Sequence, residues 1–222
     1  MNKSAIVLLS GGQDSTTCLF WAKANFERVQ AVGFNYGQKH AQELNQARQI
    51  ADMAQIPYKI FDICGLLGGS SLVDHTKDHN QTHSQNPALP NSFTAGRNAL
   101  FLTLATSFGF GEGIFDLVTG TCQTDFSGYP DCRRRFVDAQ ALALSLALDV
   151  DIRIHTPLMY LTKAETWKLA KDLDCFDIVR DYSLTDYNGD MTRNEWGFGV
   201  NNNPATNLRV QGFNEAREKG WI

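Results

Sequence analysis

The sequence predicts an α/β protein: a doubly wound, mostly parallel sheet with helices on both faces, and a small C-terminal appendage. Three observations carry this expectation. Short β-branched apolar runs alternate with segments of helical period, the pattern of strand-helix-strand units. The runs are apolar throughout instead of alternating, as in strands buried on both faces. The first run ends in a turn of small residues, Ser10-Gly11-Gly12-Gln13-Asp14-Ser15, and doubly wound folds bind ligands beyond the carboxyl ends of their strands. The expected division is a main domain over residues 1–180 and a C-terminal segment over 181–222.

Ala5 to Leu9 reads as the first buried strand and Thr16 to Ala24 as the helix after it. Gly11 and Gly12 permit backbone angles and close approach that a side chain blocks. Ser15 or Asp14 is placed to cap the helix. Strand end, small-residue turn and helix N-terminus together aim backbone N–H groups at one point, where the dipole favours an anion. The turn therefore reads as a phosphate site, although an ordinary capped turn uses the same residues. It is not the common P-loop, because no lysine follows the glycines. Asp14 would repel phosphates unless a cation lay between them, and Mg²⁺ is the simplest such cation.

Val29 to Phe34 is the second strand, ending in Asn35-Tyr36-Gly37-Gln38. Ala41 to Met53 is helical, with Leu44, Ala47, Ile50 and Ala51 on one face, and Tyr58 to Ile63 is the third strand. Gly65 to Pro90 is polar and aperiodic, the composition of a lid or a mobile loop. His75, His79 and His83 recur four apart, which on a helix would form a metal-binding face; weak helical character and no evident acidic second shell favour the polar-loop reading. Arg97 and Asn98 open an apolar helix running from Ala99 to Phe108, where a cation suits a bound anion or carboxylate better than the dipole. Ile114 to Thr119 is the fourth strand. The loop after it is crowded with polar and aromatic groups. Phe126 or Tyr129 could stack on a planar ring there, and Asp125 and Asp131 could accept from ring N–H groups. A packed turn around Gly128-Tyr129-Pro130 accounts equally for the spacing. Phe136 to Leu148 is a further helix, and Ile152 to Thr156 the fifth strand. Thr162-Lys163-Ala164-Glu165 is a capping-box start for the helix Ala164 to Asp172. Lys163, near a strand end, either reaches a developing phosphate charge or is simply solvated.

Composition bounds the function. With 222 residues, 43% hydrophobic and 20% charged, the chain can build a full core. A net charge of -4 and a pI near 5.7 argue against a nucleic-acid partner, which needs a basic face. Arg133-Arg134-Arg135 reads as a solvated helix face. Five scattered cysteines without Cys-x-x-Cys spacing suit reduced thiols, and no stretch reads as a targeting or membrane segment, so the expected location is the cytoplasm.

The strings Ser10–Cys18 (SGGQDSTTC), Phe34–Gln38 (FNYGQ), Gly96–Asn98 (GRN), Gln123–Cys132 (QTDFSGYPDC), Pro157–Trp167 (PLMYLTKAETW) and Tyr187–Gly189 (YNG) occur in order. The first resembles the pyrophosphate loop of the ATP pyrophosphatase superfamily. Together they resemble the 7-cyano-7-deazaguanine synthase family, from about Ala5 to about Leu208. The resemblance implies an adenine nucleotide alpha-hydrolase-like fold and an ATP-dependent ligase acting on 7-carboxy-7-deazaguanine. The carboxylate would be adenylated, ammonia would displace AMP to give the amide, and a second ATP would activate the amide oxygen for loss of AMP to the nitrile. It also implies ATP contacts from Leu9, Ser10, Gly11, Gly12, Gln13, Asp14, Ser15, Thr16, Thr17, Cys18 and Leu19, joined by Gly96 and Asn98. Asp14, which would hold Mg²⁺ through the phosphates, Lys163 and Arg97 are the implied catalytic groups. Tyr36, Gln123, Asp125, Phe126, Tyr129 and Asp131 are implied to hold the deazaguanine. A homodimer is the implied assembly, with no membrane and no nucleic-acid partner.

The tail departs from that family, whose members carry a zinc site of four cysteines. The corresponding residues are Asp186, Val200, Asn203 and Thr206, and none is a thiolate. The expectation is therefore no zinc, with the tail held instead by Trp196, Phe198, Phe213 and Trp221, at about 1.5–3 kcal/mol for each buried aromatic. Two further readings stay open: a relative that stops at the amide or passes the acyl group to another acceptor, and a non-catalytic nucleotide-binding protein. Metal analysis of the purified chain is expected to find no stoichiometric zinc; one zinc per chain would overturn this reading of the tail.

Overall fold

The computed structural model describes residues 3–38, 42–67, 82–83, 86–124, 129–186 and 188–222. Strand β1 (Ser4–Leu8) leads into α1 (Gln13–Asn25), followed by β2 (Arg28–Asn35), α2 (Gln42–Ala54) and β3 (Tyr58–Asp62). A hairpin of β4 (Thr82–His83) and β5 (Asn86–Pro90) precedes α3 (Arg97–Glu112) and β6 (Asp116–Val118). Then come a 3-10 turn (Pro130–Cys132), α4 (Arg134–Leu148), β7 (Arg153–His155), α5 (Lys163–Asp172) and α6 (Phe176–Tyr182). A short pair, β8 (Arg193–Asn194) and β9 (Gly197–Phe198), leads to α7 (Pro204–Glu218). No helix among the described residues is long and apolar enough to cross a membrane.

The five main strands pair in parallel in the order β3-β2-β1-β6-β7. The chain winds outward from β1 in both directions, so the switch point lies between the carboxyl ends of β1 and β6. Strand periodicity divides the core between the two faces. Ala5, Val7 and Leu9 point to one side with Cys18, Leu19 and Ala22 of α1 and Ala47, Ile50 and Ala51 of α2. Ile6, Val32 and Phe34 point to the other, against Leu102 and Ala105 of α3 and Val137 and Leu144 of α4.

The sequence reading is corrected in three places. Helix α1 begins at Gln13 with Gly12 at its cap position, so Asp14 and Ser15 lie inside the first turn and neither caps it. Part of the polar stretch 65–90 is the β4–β5 ladder, while His75 and His79, on which the metal reading rested, lie outside the described residues. In the tail, Trp196, Phe213 and Trp221 do pack with Trp167 and Ala164 of α5, but Phe198 is outside that cluster and lies under Arg193, 5.3 Å from its guanidinium. The Thr162–Glu165 capping box of α5 forms as expected.

The tail also has a polar core, which no pattern in the sequence announces. Arg209 of α7 is fully buried. Its guanidinium donates to the carbonyls of Trp196 (3.0 Å), Ser183 (3.3 Å), Val179 (3.1 Å) and Arg180 (3.3 Å) and to the hydroxyls of Ser183 (2.8 Å) and Thr185 (3.0 Å). It also lies 5.2 Å from the Trp167 ring centre. Burial pushes its pKa down to about 9, which still leaves it charged at neutral pH. The donors fill carbonyls that would otherwise be buried without partners. Arg209→Met is expected to lower stability by about 2–4 kcal/mol, because orphaned buried acceptors each cost about 1–3 kcal/mol; urea unfolding checks this.

Candidate functional site

A cleft of about 330 Å³ opens at the switch point. Its walls include Leu9, Ser10, Gly12, Gln13, Asp14 and Ser15 from the first turn, Tyr36 beyond β2, Glu43 of α2, Arg97, Asn98 and Phe101 of α3, Thr121 and Cys122 after β6, Tyr129, and Lys163 at the start of α5.

The floor is set by a close crossing. Gly11 has φ +87°, and a Cβ there would overlap the Glu43 carbonyl oxygen and lie 2.9 Å from Ala47 N. Only glycine lets the turn lie this close on α2. The turn is braced internally: Ser15 Oγ accepts from Ser10 N (3.2 Å) and donates to the Gly12 carbonyl (3.1 Å). It is braced from the tail by Leu184 N donating to the Gly11 carbonyl (2.9 Å) and Gln13 N donating to Thr185 Oγ1 (3.2 Å). Gly12 at the cap position has no side chain to lay over the α1 N-terminus, so beyond the Gln13 N–H held by Thr185 the positive end of the dipole opens on the cleft. The Gln13 side chain is 1% exposed, yet its amide oxygen and nitrogen have no hydrogen-bond partner among the described residues. A buried amide in this state fits a ligand that supplies the missing partners.

Asp14 and Lys163 meet across the cleft, Lys163 Nζ donating to Asp14 Oδ2 at 2.6 Å. The ammonium thus supplies a cation beside Asp14, the need that suggested Mg²⁺. Lys163 is placed by the tail: Gly212 of α7 packs on the start of α5, where a Cβ would clash with the Lys163 side chain and stand 3.0 Å from Ala164 N. Among the described residues no three His, Cys, Asp or Glu side chains converge as a metal cluster. A single carboxylate beside phosphate oxygens nevertheless suits magnesium, which keeps several waters and takes few protein ligands.

The opposite wall is aromatic and basic. The Arg97 guanidinium lies 5.9 Å from the Tyr36 ring centre. Burial opposes its charge, but Tyr36, Tyr129 and Asp131 around it more than compensate and raise its pKa. The Tyr129 hydroxyl pairs with Ser92 Oγ at 2.6 Å, presenting the ring to the cleft. Burial raises the Glu43 carboxyl from 4.5 to about 7, with Arg97 pulling it down and Asp186 pushing it up.

Other residues singled out in the sequence sit elsewhere. Thr16, Thr17, Cys18 and Leu19 are fully buried on α1, the two threonine hydroxyls turned back to the carbonyls of Gly12 and Gln13. Gly96, with φ 72°, is the exposed cap position of α3. Asp131 is off the cleft wall, its Oδ2 accepting from Asn98 N (3.3 Å), so it positions the α3 start. Gln123 Oε1 accepts from Arg134 N (3.0 Å) at the head of α4. Asp125 and Phe126 lie outside the described residues. Glu43 and Thr185 were missed. An acidic residue next to the apolar stripe of α2 was the available signal for the first, whereas only the tertiary contact reveals the second.

The four tail positions Asp186, Val200, Asn203 and Thr206 do come together. Asp186 accepts from Asn188 N (2.7 Å), Val200 N (3.2 Å) and Asn203 Nδ2 (3.1 Å), and Asn203 Oδ1 caps α7 through Thr206 N (3.1 Å). A carboxylate, an amide and a hydroxyl already engaged with one another do not suit zinc, which takes Cys and His.

The profile of the family described as "Queuosine biosynthesis protein QueC" matches residues 4–217. The chain is 48% identical, over 98% of its length and 98% of theirs, to proteins named 7-cyano-7-deazaguanine synthase in two strains of Bacteroides fragilis. Among solved structures it is similar in fold to NMN synthetase from Francisella tularensis, with TM-score 0.52 and 16% identity over 98% of this chain and 86% of that one.

The Glu43 carboxyl gives the site a pH signature. Its pKa is raised on folding, so its contribution to stability is complete below 4.5 and is lost as pH rises through about 7. Glu43→Gln is expected to flatten that decline, as read from urea unfolding midpoints between pH 4.5 and 8.

Proposed function

The chain belongs to the QueC family of queuosine biosynthesis proteins, and from that premise we propose that it is an ATP-dependent ligase converting 7-carboxy-7-deazaguanine and ammonia to 7-cyano-7-deazaguanine. The observation that carries this reading is the cleft itself. The N-terminus of α1, the buried Gln13 amide that has no partner among the described residues and the Asp14–Lys163 pair line one side, and Tyr36, Arg97 and Tyr129 line the other.

A carboxylate resists attack by ammonia until one of its oxygens becomes a good leaving group. In this reading the substrate carboxylate attacks the α-phosphorus of ATP. The turn amides and the α1 dipole receive the departing pyrophosphate, and Lys163 and Arg97 offset the charge that develops. Magnesium held by Asp14 would add charge neutralisation at the phosphates. Tyr36 and Tyr129 offer ring faces to the planar base. Ammonia then forms the C–N bond while AMP leaves with the acyl oxygen, and adenylation of the amide oxygen by a second ATP lets loss of AMP create the nitrile. The same reading has the chain act as a cytoplasmic homodimer on a free small molecule, without zinc and without a nucleic-acid or membrane partner.

The test is mass spectrometry of products from the acid, ATP, magnesium and ammonium. The wild type is expected to give the nitrile with AMP and pyrophosphate. Lys163→Ala is expected to lower turnover by about 10²–10³, the loss typical of removing one transition-state charge stabiliser. An untouched ATP pool would refute the reading.

A further inference from the structure

Glu43 is a titratable group on the cleft wall for which the steps above have no use. It projects from the first turn of α2, and its own backbone carbonyl is the atom against which Gly11 packs. It therefore stands at the seam between the two halves of the cleft. On one side is the phosphate turn with Asp14 and Lys163; on the other are Tyr36 and Arg97. That seam is where a bond between a base-bound acyl carbon and a turn-bound phosphate would lie. No hydrogen bond or ion pair to another described residue engages its carboxyl group. Among the described residues, the charged and titratable groups facing it are Arg97 from α3, Tyr36 from the end of β2 and Asp186 from the tail.

The proposed reaction has an unmet need at this place. The nitrogen source at neutral pH is almost entirely ammonium, which has no lone pair to attack with. We propose that Glu43 is the general base that takes a proton from ammonium and so releases ammonia beside the acyl-adenylate. This inference rests on the reaction proposed above. The step balances: the ammonium N–H bond breaks and its proton passes to the Glu43 carboxylate, leaving neutral ammonia. The nitrogen lone pair then forms the C–N bond at the acyl carbon. The acyl C–O bond breaks with its electron pair going to the phosphate oxygen of AMP, and the nitrogen's surplus proton leaves to water. Glu43 returns its proton to solvent before the next turnover. A base works best when its pKa is close to the working pH, and the raised carboxyl, at about 7, meets that condition. The Arg97 charge nearby keeps the ionised form accessible.

The experiment compares two nucleophiles in wild type, Glu43→Gln and Glu43→Asp. Hydroxylamine is largely unprotonated at neutral pH and traps an acyl-adenylate as the hydroxamate without needing a base to free it. Glu43→Gln is expected to keep ATP–pyrophosphate exchange and hydroxamate formation within about threefold of wild type. Its ammonium-dependent turnover is expected to fall by about 10²–10⁴, with partial recovery in Glu43→Asp. In the wild type, kcat with saturating ammonium should rise through a limb near pH 7 that hydroxylamine does not show. Equal loss with both nucleophiles, or the same limb for both in the wild type, would overturn the assignment and make Glu43 a binding or packing residue. A wild type with no exchange at all would instead overturn the parent reaction, and this inference with it.

Discussion

The structure depends on the burial of one guanidinium. Arg209 gathers carbonyls from the end of α6 and from Trp196, and its contact with Thr185 ties this cluster to the phosphate turn, since Thr185 Oγ1 also accepts from Gln13 N. Leu184 completes the tie by donating to the Gly11 carbonyl. A planar fork of five donors can satisfy several backbone acceptors at once, which a lysine cannot. The tail is therefore not an ornament on the sheet. It holds the first turn of α1 through Leu184 and Thr185, beside the contact that Gly11 makes with α2.

Close backbone approach completes the arrangement. Gly11 lets the turn rest on α2, and Gly212 lets α7 rest on the start of α5, which carries Lys163. A glycine inside a helix costs roughly 1 kcal/mol relative to alanine. Here that cost accompanies a crossing that brings a lysine to within 2.6 Å of an aspartate 149 positions away in the chain. Charge neutralisation at Asp14 thus comes from a residue remote in sequence.

Much of this was legible in the residues. The apolar runs, the Thr162–Glu165 capping box and the small-residue turn each depend on interactions only a few positions apart, and each formed close to the expected place. Boundaries moved where a longer-range contact took over, as at the head of α1, where Gly12 and not Ser15 or Asp14 stands at the cap. Asp131 Oδ2 and Gln123 Oε1 accept from the backbone amides of Asn98 and Arg134 at two helix starts, contacts that no local pattern in their loop announces. Asp186 and Asn203 stand out in the sequence only as places where a thiolate is lacking; that they bond each other and that Asn203 caps α7 is not legible there, because a network of single hydrogen bonds has no period in a sequence.

The sequence by itself determined the alternation of strand and helix, the location of the ligand end and the chemistry of the first turn. These follow from local periodicity, turn preferences and the helix dipole, which act over one or two turns of chain. The tertiary structure alone decided that Lys163 pairs with Asp14, that Arg209 anchors the tail to the turn, and that Glu43 faces the cleft with a raised pKa. Those depend on desolvation and on distances between residues remote in sequence, and such quantities exist only once the chain has packed.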